Sequence, residues 1–330
     1  MIMMPYLTQF ARVIAISLIF FYSSLGLAAP SNTKVQSIKN LIVDLAVFPE
    51  GIGYDSSSKL FYVGSLTSST IYQVNLKGEI QPFFTDPQLI SSAAVQVDKD
   101  NQRLLVASLD LGVSKYSGNA SKSKLAGLGV YSLKTGRKIH YVNLAKDLPG
   151  AHLANDIAVD SQGNIYITDS SSPHIYKIDN NYRTSLFLND AEFTGKGFNL
   201  NGLVYHKDGF LIAAKYNSNS LYRIPVDDPA AFKKIKLNYS LTGPDGLILL
   251  SESELAVIQN INGGKVSVIE STDKWSSAKH INSTILDNAY PTSGVRLGDG
   301  VAVIDGHINQ LFSDKSNGVK SFSIIFLNGL

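Results

Sequence analysis

The 330-residue chain has no cysteine, only three methionines and a single tryptophan, Trp275. Without cysteine there is no disulfide, no thiol nucleophile, no zinc–thiolate site and no iron–sulfur cluster. Stability must rest on buried apolar surface, which a chain of this length supplies without cross-links. Charge is also scarce, 17% of residues against 44% hydrophobic, the balance of a folded chain and not a disordered one. Its 29 basic and 27 acidic residues nearly cancel to +2, and no basic run stands out. Nothing in the charge calls for nucleic acid as a partner. Long amphipathic helical patterning is missing as well. So are a Gly-x-Ser-x-Gly elbow, a His-Glu-x-x-His pair and a phosphate-cradling glycine loop.

The N-terminal region reads as an export signal. Arg12 precedes the apolar stretch Val13-Ile14-Ala15-Ile16-Ser17-Leu18-Ile19-Phe20-Phe21-Tyr22, and small residues follow at Gly26-Leu27-Ala28-Ala29. A basic start, an apolar middle and a small-residue cleavage site are the three parts of such a signal. A bilayer-spanning helix needs about twenty apolar residues; this stretch is shorter and broken by serine, which favours cleavage after Ala28 over an uncleaved anchor. The expected organisation is a signal peptide over 1–28, a linker over 29–39 and one domain over 40–330, secreted or periplasmic, with no membrane span after cleavage.

What the chain does have is repetition. A small or polar turn, an apolar-x-apolar strand, a turn rich in Asp, Ser, Gly or Asn, and a second strand recur along it. The clearest copy is Asn155-Asp156-Ile157-Ala158-Val159-Asp160-Ser161-Gln162-Gly163-Asn164-Ile165-Tyr166-Ile167-Thr168-Asp169. The first apolar position of each copy falls at residues 52, 95, 157, 203, 247 and 295, spaced by 43, 62, 46, 44 and 48 residues. Such intervals match four-stranded blades, so the pattern predicts an all-β, six-bladed β-propeller with four-stranded antiparallel blades around a central channel. The long second interval places an extended loop over 109–129 on one rim. Strands around Asn40–Leu45 and Val319–Phe326 flank the repeats, and one of them is expected to complete the last blade.

With the six copies in register, the residue two before the first apolar position is Glu50, Ala93, Asn155, Asn201, Asp245 and Ser293. The first strand of each blade lines the channel, so this position forms one ring at one mouth. Four of the six carry carbonyl or carboxylate oxygens, and none is histidine, an all-oxygen donor set of the kind calcium takes. Magnesium and manganese stay open. Polar residues at strand starts also satisfy turn backbone, which accounts for Asp55, Asp98 and Asp160. It accounts poorly for Glu50, because glutamate does not form turns.

These residues resemble the SMP-30/gluconolactonase family of calcium-dependent six-bladed propellers, whose superfamily includes paraoxonase-like and strictosidine synthase-like proteins. Phe48-Pro49-Glu50-Gly51, Asn155-Asp156, Asn201-Gly202-Leu203 and Pro244-Asp245-Gly246 each look like a ligand motif of that family and stand in its order. The resemblance implies that Glu50, Asn155, Asn201 and Asp245 surround a calcium ion, and that the protein is a lactone or ester hydrolase. It also implies Asp245 as general base. A metal-bound carboxylate is a poor base, so Asp156 is the alternative.

One departure bears on substrate. Sugar-lactone members carry arginine where this chain has Leu153, which turns the expectation towards a more apolar small-molecule lactone or ester. His152, one residue earlier, is a candidate proton shuttle at the channel mouth, although a lone loop histidine more often packs or faces solvent. A monomer is expected. The competing readings are a non-catalytic, metal-stabilised binding propeller of the strictosidine synthase-like kind and an NHL-like interaction platform, the latter leaving Glu50 and Asp245 unexplained.

Overall fold

The computed structural model describes residues 37–330; the expected signal peptide and most of the linker lie outside the described residues. Twenty-six strands form six sheets, four of four strands and two of five. Blades 1 to 6 begin with the innermost strands Ile52–Asp55, Ser91–Asp98, His152–Val159, Leu200–His206, Pro244–Leu249 and Pro291–Leu297. All pairing within the four-stranded frames is antiparallel. The fifth strands are two-residue additions, Lys124–Leu125 on blade 3 and Lys236–Leu237 on blade 5, which the repeat does not announce. Among the described residues no helix is long and apolar enough to cross a membrane.

The alternation seen in sequence puts apolar side chains on both faces of each blade, and every face is covered by the next blade. Six clusters fill the six seams. Leu105, Leu128 and Val130 of blade 2 meet Ile157, Ile167 and Ile178 of blade 3. Phe61 and Val63 of blade 1 meet Ala302, Ile304 and Ile324 of blade 6. Each fully buried side chain of this size contributes roughly 1.5–3 kcal/mol. The carboxylates of the first-strand turns act as the sequence implies. Asp160 accepts from the Gln162 and Asn164 backbone N–H groups at 2.9 Å, and Asp55 accepts from Ser57 N–H at 2.9 Å.

Both chain ends, and not one, complete blade 6. Ser37–Val43 is its outermost strand and pairs with Phe322–Asn328, which in turn pairs with Gly300–Asp305. The N-terminal strand starts three residues earlier than expected, inside the predicted linker.

The segment between Leu109 and Gly127 is ordered by one buried carboxylate, Asp110. It accepts from the Ser117 and Ser121 hydroxyls at 2.6 Å and from Gly112 N–H at 2.7 Å. The predicted loop therefore ends in regular structure, with blade 2 resuming at Gly127–Ser132.

Candidate functional site

Five of the six ring positions, Glu50, Ala93, Asn155, Asn201 and Asp245, line a single cavity that opens at its mouth. The sixth, Ser293, lines the channel beneath it. The way these side chains come together was not legible in the alternation. In blades 2 to 5 the register slips between Ser92 and Val95, Ala154 and Ile157, Leu200 and Leu203, and Pro244 and Leu247. Each slip is a β-bulge around a ring residue, and a bulge re-aims a side chain that strict pleating would send elsewhere.

The glycines after Glu50, Asn201 and Asp245 have a second cause. A Cβ at Gly51 would collide with the carbonyl oxygen of Ala93, and one at Gly202 with that of Asp245. One at Gly246 would lie 2.8 Å from the carbonyl oxygen of Thr292. Neighbouring innermost strands thus touch backbone to backbone around the axis. Gly202→Ala should cost about 1–3 kcal/mol by overpacking and displace Asp245; thermal denaturation with and without calcium would read both effects. Phe48 takes a left-handed backbone conformation, φ 48°, unusual for a bulky residue. It packs with Leu66, Ala93, Leu109 and Leu153 against the cavity.

Hydrogen bonds tie the ring across blades. The Thr292 hydroxyl donates to the Glu50 carbonyl at 2.6 Å, and the Thr168 hydroxyl to the Asn201 carbonyl at 2.7 Å. Asp245 accepts from Asn260 Nδ2 at 2.5 Å. The Tyr216 hydroxyl, on the cavity wall, donates to Asn260 Oδ1 at 2.8 Å. Asn260 and Tyr216 lie just past the second strands of their blades, outside the register used to find the ring, and sequence reasoning missed both.

Three carboxylates share this axis. Burial pushes Glu50 well up, and repulsion from Asp245 and then Asp156 pushes further. Burial likewise raises Asp245, opposed by the Asn260 donor and reinforced by Asp156. Asp156 is pushed up to about 6 by burial, against donors from Leu203 and Ile157. Glu50 and Asp156 are half-buried, Glu50 in the mouth cavity and Asp156 in the channel beneath it. No lysine, arginine or histidine lines the cavity, and among the described residues no salt bridge reaches any of the three. Buried acids with only oxygen donors around them, and no cation of the protein's own, fit a hard divalent ion.

The Asn-Asp pair is split: Asn155 lines the mouth cavity, whereas Asp156 lines the channel beneath. Asp156 there accepts from Ile157 N–H at 2.8 Å and, across to blade 4, from Leu203 N–H at 2.7 Å, since successive residues in a bulged strand still diverge. His152 is not among the cavity-lining residues and is only 1% exposed. Its Nδ1 lies 2.8 Å from Asp169 Oδ2 and its Nε2 3.2 Å from the Pro149 carbonyl. Buried and held by Asp169 away from the cavity, it does not face the reaction site as a proton shuttle would. His152, Asp169 and His174 instead form a separate group able to hold a metal ion. Leu153 does line the cavity, beside Leu66, Leu109 and Leu111. Phe198, Ile308 and Phe312 line it too, Ile308 from the short helix Ile308–Leu311 and the other two from segments outside the strands.

No protein-family model matches the sequence, and no curated protein matches it. Solved structures do. The Mala s 1 allergen of Malassezia sympodialis superposes with a TM-score of 0.69 at 17% identity, over 88% of this chain and 96% of that one. Luciferin-regenerating enzyme gives 0.62 at 12%, over 89% and 96%. A provisionally assigned gluconolactonase gives 0.61 at 12%, over 89% and 93%. At these identities the likeness is one of fold: the chain is a six-bladed β-propeller of the kind that luciferin-regenerating enzyme and the gluconolactonase-like structure share.

Proposed function

We propose that the protein is a calcium-dependent hydrolase of apolar lactones or esters, with its reaction centre at the mouth of the central channel. The observation that carries this reading is a set of mutually repelling carboxylates unmatched by any basic side chain, Glu50 and Asp245 in a cavity walled by leucine and phenylalanine and Asp156 in the channel beneath. Glu50, Asn201 and Asp245 would hold the ion, with Asn155 beside them. When bound, calcium supplies a Lewis acid for the substrate carbonyl oxygen and offsets the repulsion among the acids.

The remaining work falls to the chain. Leu153, Leu111, Phe198 and Phe312 take the hydrocarbon part of the substrate and exclude water around it. Phe312 is 63% exposed and Phe198 45%, which leaves apolar area for a ligand to cover. Asp245, fixed by Asn260, accepts the proton of the attacking water; Asp156 is the second acceptor, one level deeper. Water adds across the acyl C–O bond, giving a hydroxy acid from a lactone, or an acid and an alcohol from an ester. Export through the N-terminal signal belongs to the same proposal, because extracellular calcium sites work at about 10⁻⁴–10⁻³ M.

The test is turnover of aliphatic, aryl and sugar lactones and esters by the purified mature chain, with calcium and after chelation. Each seated methylene is worth roughly 0.8 kcal/mol, so four added carbons should raise kcat/KM on the order of 100-fold. Sugar lactones should be poor substrates. Equal turnover after chelation would sink the reading; retention of an apolar lactone with no turnover would favour a binding propeller.

A further inference from the structure

The group around His152 lies at one corner of blade 3, where three strand ends meet. His152 opens the innermost strand, Asp169 closes the second strand Ile165–Asp169, and His174 opens the third, His174–Ile178. Each offers a donor atom, and these atoms lie within 4.8 Å of one another. All three residues are buried, at 1%, 0% and 9% exposure. The two imidazoles stack with centroids 5.7 Å apart.

Asp169 is fully engaged. Its Oδ1 accepts from the N–H groups of Leu153 and Ser171 at 2.9 Å and of Ser172 at 3.0 Å. Its Oδ2 faces His152 Nδ1 and accepts from the Tyr176 hydroxyl, both at 2.8 Å. The exception is His174, whose Nδ1 is buried with no hydrogen-bond partner. Native proteins rarely leave a buried ring nitrogen unpaired, and an absent ion is one of the few physical reasons to do so.

We propose that His152, Asp169 and His174 bind a first-row transition ion, zinc before others, at a site separate from the channel. Two imidazoles and a carboxylate are donors that zinc accepts at about 2.0–2.2 Å, and a set that calcium, which takes oxygen ligands, would not select. The proton now between His152 Nδ1 and Asp169 leaves to solvent when the ion takes its place. Tyr176 keeps its bond to the carboxylate and orients it. The ion fastens the start of the innermost strand to the turn between the next two. That strand carries Leu153 and Asn155 into the cavity one and three residues later, so the site braces the wall of the mouth. This proposal does not depend on the hydrolase reading.

The experiment is equilibrium dialysis of chelator-stripped full-length mature protein against zinc, in millimolar calcium, with cobalt(II) as a spectroscopic probe. One zinc per chain is expected, with cobalt absorption of a low-coordinate nitrogen–oxygen site and a Tm raised by zinc. His174→Ala should weaken zinc binding roughly 100-fold or more, while circular dichroism and calcium uptake stay as in the wild type. His174 makes no hydrogen bond through Nδ1, so its removal spares the Asp169 network. Failure of the wild type to take up stoichiometric zinc would overturn the proposal, as would His174→Ala binding zinc as tightly as the wild type.

Discussion

Asp245→Asn is expected to make the calcium-free protein more stable and the calcium-loaded protein inactive. The asparagine keeps the shape of the side chain and can still accept from Asn260 Nδ2 through its carbonyl oxygen. It removes one of three buried negative groups, each of which raises the energy of the others. Relief of that repulsion should stabilise the chelated protein by about 1–3 kcal/mol, read from denaturant midpoints. Calcium affinity should fall on the order of 100-fold, and turnover of an apolar lactone by on the order of 1000-fold. The pairing of opposite signs is what distinguishes this from ordinary damage, because most substitutions in a core destabilise. Calcium affinity equal to that of the wild type would remove Asp245 from the metal site.

The second large effect is on pH. A carboxyl whose pKa is higher in the folded than in the unfolded chain binds its proton more tightly when folded. Its contribution to stability is complete below the unfolded value and is lost as pH rises through the folded one. Asp156 moves from 3.8 to about 6, which alone amounts to about 3 kcal/mol. Glu50 and Asp245 are raised in the same direction. In chelator, therefore, stability should fall steadily from pH 4 to neutrality, the reverse of a protein held by surface ion pairs. Calcium competes with those protons, so it should restore most at neutral pH and least at pH 4. At a hundredfold excess over its Kd it adds about 3 kcal/mol. Urea titrations across that range, with and without calcium, would show the two slopes. A calcium-free protein that gains stability towards pH 7 would contradict the electrostatics described for the channel.

The fold was legible because six copies constrain each other: an interval near 45 residues repeated with alternating apolar positions has few other solutions. The ring was legible for the same reason, since one register position found Glu50, Asn155, Asn201 and Asp245 together. What the repeat could not carry was departure from strict pleating. The bulges around Asn155, Asn201 and Asp245 decide that Asn155 faces the mouth while Asp156 faces the channel below, and a bulge leaves little trace beyond an adjacent glycine. Asn260 and Tyr216 act from second-strand exits, a register position to which the reading of the ring did not extend. Phe198, Ile308 and Phe312 come from insertions that differ from blade to blade. His152 was a candidate shuttle set against the commoner packing role, and sequence position alone does not separate the two. Only its neighbours Asp169 and Tyr176, distant in sequence, decide between them.

The shared sixth blade has a bearing on how the molecule is made. Asn40 pairs with Ile325, partners separated by nearly the whole domain. The strand that joins the two flanks, Phe322–Asn328, is synthesised after every other strand described here. Until then five blades have no circle to belong to, and the apolar flanks of the first and the unfinished last remain uncovered. Contacts of such long range form slowly and keep adhesive edges available meanwhile. A truncation of a dozen C-terminal residues should accordingly behave as an aggregating chain and not as a slightly weaker propeller.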